Sequence, residues 1–129
     1  MASWGAWLAV AGGGAIGSLA RFWLTGVFAD LTGARWPWGT LAINVLGSLV
    51  IGLVAGVALA PSRIDLHPDL RIFLMTGVCG GFTTFSAFSL QSLELLQAGE
   101  TLAAGAYILA SVVLCLLAVW AGWSIGRPI

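Results

Sequence analysis

Four long apolar stretches, separated by short polar segments, follow one another along the chain. They cover about residues 4–28, 38–60, 70–96 and 102–125. A helix needs roughly 20 mostly apolar residues to cross the hydrocarbon core of a bilayer. The pattern therefore predicts an all-α membrane protein, in which residues 1–129 form a single transmembrane domain with four transmembrane helices per subunit.

The composition indicates a lipid bilayer as the surroundings of the chain and excludes nucleic acid as a partner. Hydrophobic residues make up 60% of the chain and charged residues 8%, whereas soluble domains carry roughly 25% charged residues. Five arginines balance five acidic residues, so the chain lacks the basic stripe of a nucleic-acid-binding protein. Tryptophans near the span ends are expected to anchor the helices at the membrane interface: Trp4, Trp7, Trp36, Trp38, Trp120 and Trp123.

The sequence offers no catalytic constellation. It has no intramembrane His, Asp or Glu cluster, no Cys/His metal spacing and no glycine-rich phosphate loop. Cys79 and Cys115 lie in apolar runs, where free cysteines usually act as small buried hydrophobes. We therefore expect no enzymatic activity. Because proton-coupled export usually needs a membrane-embedded carboxylate, passive conduction is favoured over a small multidrug-type exporter, and a non-transporting scaffold is the other alternative.

The third span contains a segment that disfavours a continuous helix. Residues 76–89 read TGVCGGFTTFSAFS. Glycines and β-branched threonines are poor helix formers, so we predict a break at Gly80–Thr84. Broken backbone at membrane depth occurs only where it is buried in protein or lines a cavity, and its free carbonyls can hold a cation. The alternative is a kink sealed by Ser and Thr side chains.

Other polar and aromatic residues within the spans allow two interpretations each. Arg21 either extends to the interface or attracts anions in a polar vestibule. Asn44 more often joins two helices, but its amide can also donate to an anion.

The aromatic and hydroxyl residues that follow also allow two interpretations each. Phe85 and Phe88 share a helix face; by pattern they face lipid or the core, yet ring edges are electropositive. Tyr107 and Ser111 are one turn apart and form either a helix contact or a pore lining.

The arginines give little orientation preference. If the spans alternate, Arg63, Arg71 and Arg127 fall on one side, and Arg35 falls on the other, joined by Arg21 if it faces the first loop. Under the positive-inside rule, such a small excess of arginine gives only a weak preference for one orientation. This is suggestive of dual topology. Four helices alone enclose little space, so we expect a homodimer with an aqueous pathway between its subunits.

The chain resembles the Fluc/CrcB-type fluoride channels over essentially its whole length. The resemblance rests on GGGAIGSLARF in the first span, GTLAINVLGS in the second and GVCGGFTTFSAFS in the third. Members of that family are dual-topology antiparallel homodimers with two pores that let fluoride leave the cell and relieve its toxicity. The resemblance thus implies a fluoride-selective passive channel in the plasma membrane, the inner membrane of bacteria.

The same resemblance assigns roles to individual residues. It implies a structural sodium ion, not transported, at the dimer interface, held by the backbone carbonyls of Gly80 and Thr83 from each subunit. It places Arg21 near the vestibule. The positions that match the family's fluoride pore are Asn44, Thr84, Phe85, Ser86, Phe88, Tyr107 and Ser111.

Two positions depart from the pattern of the family. Gln91 stands where a glutamate is common, which bears on pore access or gating, and Cys115 stands where a hydroxyl residue is common.

Overall fold

The computed structural model describes residues 1–33, 35–59 and 64–128 of the chain. Every regular element in these ranges is helical. Within the described residues, four segments are long and apolar enough to cross a membrane: Trp4–Thr32, Trp38–Leu59, Pro68–Gln97 and Thr101–Gly126. The predicted all-α class with four membrane-spanning segments is therefore confirmed. The predicted end of the second span at residue 60, and Arg63, lie outside the described residues.

The first two spans are continuous helices, α1 (Trp4–Thr32) and α2 (Trp38–Leu59). Helix α1 begins after Ser3, whose Oγ accepts a hydrogen bond of 3.1 Å from the Ala6 N–H. It ends at Gly33, which has a positive φ of 73° and donates its N–H to the Ala29 carbonyl. The left-handed conformation favours glycine, and Gly33 therefore ends the helix. Helix α1 is thus longer than its predicted span, which ends at residue 28.

The third span consists of several consecutive segments. Helix α3 (Pro68–Ile72) leads into a π-helix (Phe73–Cys79) and the single turn α4 (Gly80–Phe82), and α5 (Phe85–Gln97) completes the span. Between α4 and α5 the backbone is extended at Thr83 (φ −82°, ψ 159°) and Thr84 (φ −151°, ψ 110°). We call these two residues the extended pair. The π-helix has no counterpart among the sequence predictions.

The adjacent glycines of this span are helical, contrary to the prediction that they take part in a break. Gly81 packs closely against α1, whereas a Cβ atom at Gly80 would meet only the Met75 carbonyl oxygen, at 4.0 Å. A Cβ atom at Gly81 would lie 2.5 Å from the Gly14 carbonyl oxygen, and one at Gly17 would collide with the Val78 carbonyl. Small residues at such crossings let helices approach closely in lipid. The departure from helical geometry therefore falls on the two threonines alone.

The fourth span is α6 (Thr101–Gly126), and it runs parallel to α2, because Gly52 faces Val119 and Gly56 faces Trp123. Their contact depends on facing glycines, because a Cβ atom at Gly52 would collide with the Val119 carbonyl, and one at Gly122 with the Leu49 carbonyl. At the other end of the pair, a buried cluster of Leu41, Leu95, Ala104 and Tyr107 joins α5 to both helices. These contacts fix α2, α5 and α6 around the residues described below.

The α2–α6 contact gives a stability prediction. Gly122→Ala places a methyl group against backbone that has no room for it, and such overpacking costs about 1–3 kcal/mol of unfolding free energy. Gly105→Ala on the same helix meets no atom within 4 Å and is expected to leave stability unchanged or raised by up to about 1 kcal/mol. Thermal unfolding in detergent measures both variants. Equal midpoints would contradict the close contact.

Candidate functional site

A groove of about 390 Å³ lies between α2, the third span and α6. We call it the central groove. None of the described residues that line it carries a charged side chain. Seven of the residues that the resemblance assigns to the sodium site or the pore line it: Asn44, Gly80, Thr83, Thr84, Phe85, Phe88 and Ser111. Arg21, Ser86, Gln91 and Tyr107 are not among its lining residues.

Asn44 binds the backbone of the extended pair. Its Nδ2 donates to the Thr84 carbonyl oxygen at 3.1 Å, and its Oδ1 accepts from the Thr84 N–H at 2.8 Å. One side-chain amide thus satisfies both backbone groups of a residue that has left the helix. Asn44 joins α2 to the third span, as the interpretation favoured from the residues alone predicts, and its second Nδ2 hydrogen is not needed for these two bonds.

The same hydrogen bonds free two backbone carbonyls. A helical carbonyl accepts from the N–H four residues later. For Gly80 that donor is the Thr84 N–H, which binds Asn44 instead. For Thr83 it is the Ala87 N–H, which binds the Thr84 hydroxyl at 3.1 Å. The carbonyl oxygens of Gly80 and Thr83 have therefore lost their helical donors, and hard oxygen ligands of this kind suit an alkali cation.

Aromatic rings form a row from the central groove toward the first connection. Phe85 is 78% exposed, and its ring centroid lies 5.3 Å from that of Phe88. The ring centroid of Phe88 lies 5.3 Å from that of Tyr107, which is fully buried. Trp36 then contacts Tyr107 edge-on, with centroids 5.3 Å apart. Trp36 was predicted only as an interface anchor; the sequence gives no signal of this contact.

Two hydroxyl residues near the groove differ in their surroundings. Ser111 is 6% exposed, and its Oγ has no hydrogen-bond partner. A buried polar atom without a partner is rare and indicates a water or an ion that completes its bonding. Ser86 is exposed, and its Oγ lies 3.3 Å from the Thr84 hydroxyl.

Tyr107 connects the aromatic row to a second cavity. Its hydroxyl donates to Gln91 Oε1 at 2.9 Å. Gln91 lines a cavity of about 350 Å³ between α1, α2, α5 and the first connection, together with Thr40 and Glu94. The Tyr107 hydroxyl proton is therefore used by Gln91, and the Gln91 Nε2 hydrogens remain for other acceptors.

Arg21 lies within α1, which continues beyond it to Thr32. Its Nε donates to the Gly81 carbonyl at 3.0 Å. A cation beside the last carbonyls of a helix is favourable. Arg21 therefore stabilises the end of α4, directly before the extended pair.

Comparison with known proteins places these features in a family. The family described as CrcB-like protein, Camphor Resistance (CrcB), matches residues 8–123. The fluoride-specific ion channel FluC of Rhodospirillum rubrum is 52% identical over 116 residues, which is 90% of each chain. The fluoride-specific ion channel FluC 1 of Nitrobacter hamburgensis is 55% identical over 121 residues, 93% of this chain and 94% of the relative.

The Asn44 contact gives a second prediction. Asn44→Ala leaves the N–H and the carbonyl of Thr84 without partners, and each buried unpaired group costs about 1–3 kcal/mol. We expect a clearly lower unfolding midpoint in detergent. Ser89→Ala is the control, because Ser89 Oγ binds only the Phe85 carbonyl of its own helix, and its effect should stay within about 0.5 kcal/mol. Two variants of equal stability would show that the amide does not hold the extended pair.

Proposed function

The chain belongs to the CrcB-like family, as its motifs predicted, and from that premise we propose that it is a fluoride-selective passive channel. It is a multi-pass membrane protein and not an enzyme. The channel exports fluoride from the cytoplasm through the plasma membrane, the inner membrane of a bacterium, and thereby relieves fluoride toxicity. The names of the relatives support the choice of ion.

The observation that carries the proposal is the chemistry of the central groove. The buried Ser111 hydroxyl lacks a partner, the Asn44 amide has a hydrogen to spare, and the Phe85 and Phe88 rings stand beside them. Fluoride is small and strongly hydrated, so a pore must replace its water with other donors. Neutral hydrogen-bond donors and electropositive ring edges form several weak sites, which permit exit as well as entry.

A second copy of the chain completes the pathway in this proposal. Phe85 is 78% exposed and Gly80 is exposed as well, so the groove is open on the side where the extended pair lies. We propose an antiparallel, dual-topology homodimer, with the interruption of the third span at mid-membrane. Because a two-fold interface repeats every contact, closing one groove closes its symmetry mate, which gives two pores per dimer.

The sodium ion belongs to the same proposal. The carbonyls of Gly80 and Thr83 have lost their helical donors, and two copies would supply four such oxygens around one ion. When bound, the ion supplies a fixed positive potential near the anion path. It is structural and not transported.

The remaining residues act around the pore in this proposal. Thr84 and Ser86 offer hydroxyls at the start of α5. Tyr107 is held by Gln91, and the neutral Gln91 amide sets pore access by offering donors where a carboxylate would repel an anion. Arg21, bound to the Gly81 carbonyl, supplies positive charge to the vestibule.

The phenylalanine pair provides the test of the pore. Phe85→Ile and Phe88→Ile keep an apolar side chain but remove the electropositive ring edges. We expect fluoride efflux from liposomes to be lost in the double variant, while chloride efflux stays absent in all proteins. Phe22→Ile is the control, because Phe22 lies on α1, is 81% exposed and does not line the groove. Unchanged fluoride efflux in the double variant would contradict the proposal.

The sodium site has its own test. Replacing Na⁺ by a large organic cation on both sides of the membrane, at constant ionic strength, should abolish fluoride efflux. Because a ligand that binds only the folded state stabilises it by mass action, the unfolding midpoint in detergent should also rise with Na⁺ concentration. Efflux that persists without sodium, with no sodium-dependent midpoint, would rule out the site.

A further inference from the structure

Three sulfur-containing side chains line the central groove, and the proposed function uses none of them. They belong to Met75, Cys79 and Cys115. Both cysteines are free. Cys79 is 3% exposed, Cys115 is half-buried, and both belong to the lining of the groove.

The two cysteines lie on different walls of the groove, Cys79 on the third span and Cys115 on α6. Asn44 binds Thr84, and a Cβ atom at Gly47 would collide with the Thr83 methyl group, so α2 and the third span run antiparallel here. The part of α2 one turn after Asn44 therefore lies beside the part of the third span one turn before Thr83. The residue at that position of the third span is Cys79. The Thr83 hydroxyl reaches back to the Cys79 carbonyl at 2.9 Å and marks that turn.

The position of Cys115 follows from the fourth span. Helices α2 and α6 run parallel, as the facing pairs Leu49 with Gly122 and Leu53 with Gly126 show. Cys115 is one turn beyond Ser111 on the same helix face. It therefore lies one turn from the Ser111 hydroxyl on the wall that α6 contributes, and Cys79 belongs to the wall that the third span contributes. Met75 is one further turn along the wall that carries Cys79.

An independent observation indicates that this part of the groove holds a ligand. Ser111, directly above Cys115 on α6, has a buried Oγ without a partner and lines the same groove. A water or an ion bound in the groove would complete the bonding of such an atom. The groove therefore joins soft sulfur atoms to an open oxygen position in one space of about 390 Å³.

We infer that the central groove binds a thiophilic monovalent cation of the Cu⁺ and Ag⁺ class, with Cys79 and Cys115 as its ligands and the Met75 thioether as a third donor. Thiolate and thioether ligands select such soft ions. Each thiol that binds the cation forms one sulfur–metal bond and releases its proton to the medium, and no atom changes its oxidation state. A cation bound there obstructs the groove, a consequence that rests on the proposed fluoride pathway.

The binding test uses the full chain in detergent and Ag⁺ as the probe, in a chloride-free nitrate medium. Bound silver per chain and the ultraviolet absorbance of the silver–thiolate bond are measured. We expect saturable binding to the wild type. Cys115→Ser and Cys79→Ser should each weaken it on the order of 100-fold, since even the loss of an outer-shell partner typically costs 10–100-fold in metal affinity. Cys79→Ser introduces a buried hydroxyl without a partner, which destabilises the fold. Cys79→Ala removes the thiol without adding a hydroxyl and is therefore measured as well.

A matched control separates the geometry of the site from the number of thiols. The double variant Cys115→Ser/Ser124→Cys keeps two cysteines but moves one to an exposed position of α6 outside the groove. We expect it to bind Ag⁺ as weakly as Cys115→Ser alone. Binding equal to that of the wild type would overturn the inference, as would undiminished binding in a chain without either native cysteine.

The functional consequence is read in liposomes, where each protein's fluoride efflux is compared with and without Ag⁺. Silver should stop efflux through the wild type but not through the variant that lacks both native thiols. Silver binding that needs both cysteines, in a protein without any fluoride efflux, would refute the proposed function and leave the cation site standing. Fluoride efflux without cysteine-dependent silver binding would refute the cation site and leave the channel standing.

Discussion

The hydrogen bonds between the Asn44 side chain and the Thr84 backbone are the interaction on which the rest of the site depends. A bilayer offers no water to a backbone group that has left its helix, so that group must find a partner within the protein. The Asn44 amide supplies a donor and an acceptor at once, at 3.1 and 2.8 Å. An extended residue can therefore persist inside a span that is helical on both sides.

This interaction has consequences for the neighbouring backbone. Once Thr84 is bound by Asn44, its hydroxyl is placed to cap α5 through the Ala87 N–H. The two N–H groups that would have bound the Gly80 and Thr83 carbonyls are then both occupied elsewhere. The same step also begins α5 at Phe85, so its ring is presented at the groove. The released carbonyls and the phenyl pair are thus two results of one local arrangement.

The sequence was sufficient for the four spans because their apolar runs are long and bounded by polar residues. It was also sufficient to mark residues 80–84 as unusual, because helix propensity there is low. It could not separate the glycines from the threonines, since both are poor helix formers alone and only the contacts of Gly81 with α1 show that its role is packing. Nor does any local pattern predict the π-helix, or the contact of Trp36 with Tyr107, because both depend on tertiary packing.

The absence of charge from the lining of the central groove bears on how an anion would pass through the proposed channel. A lining arginine would bind a small anion strongly and hold it there, whereas neutral donors and ring edges bind weakly enough to release it. Positive potential can still come from outside the lining: from Arg21 on the Gly81 carbonyl, and from the N-terminal end of α5, where helix dipoles favour anions. Attraction and release are then supplied by different groups. A neutral lining also leaves the thiols of the proposed cation site without a charged side chain beside them.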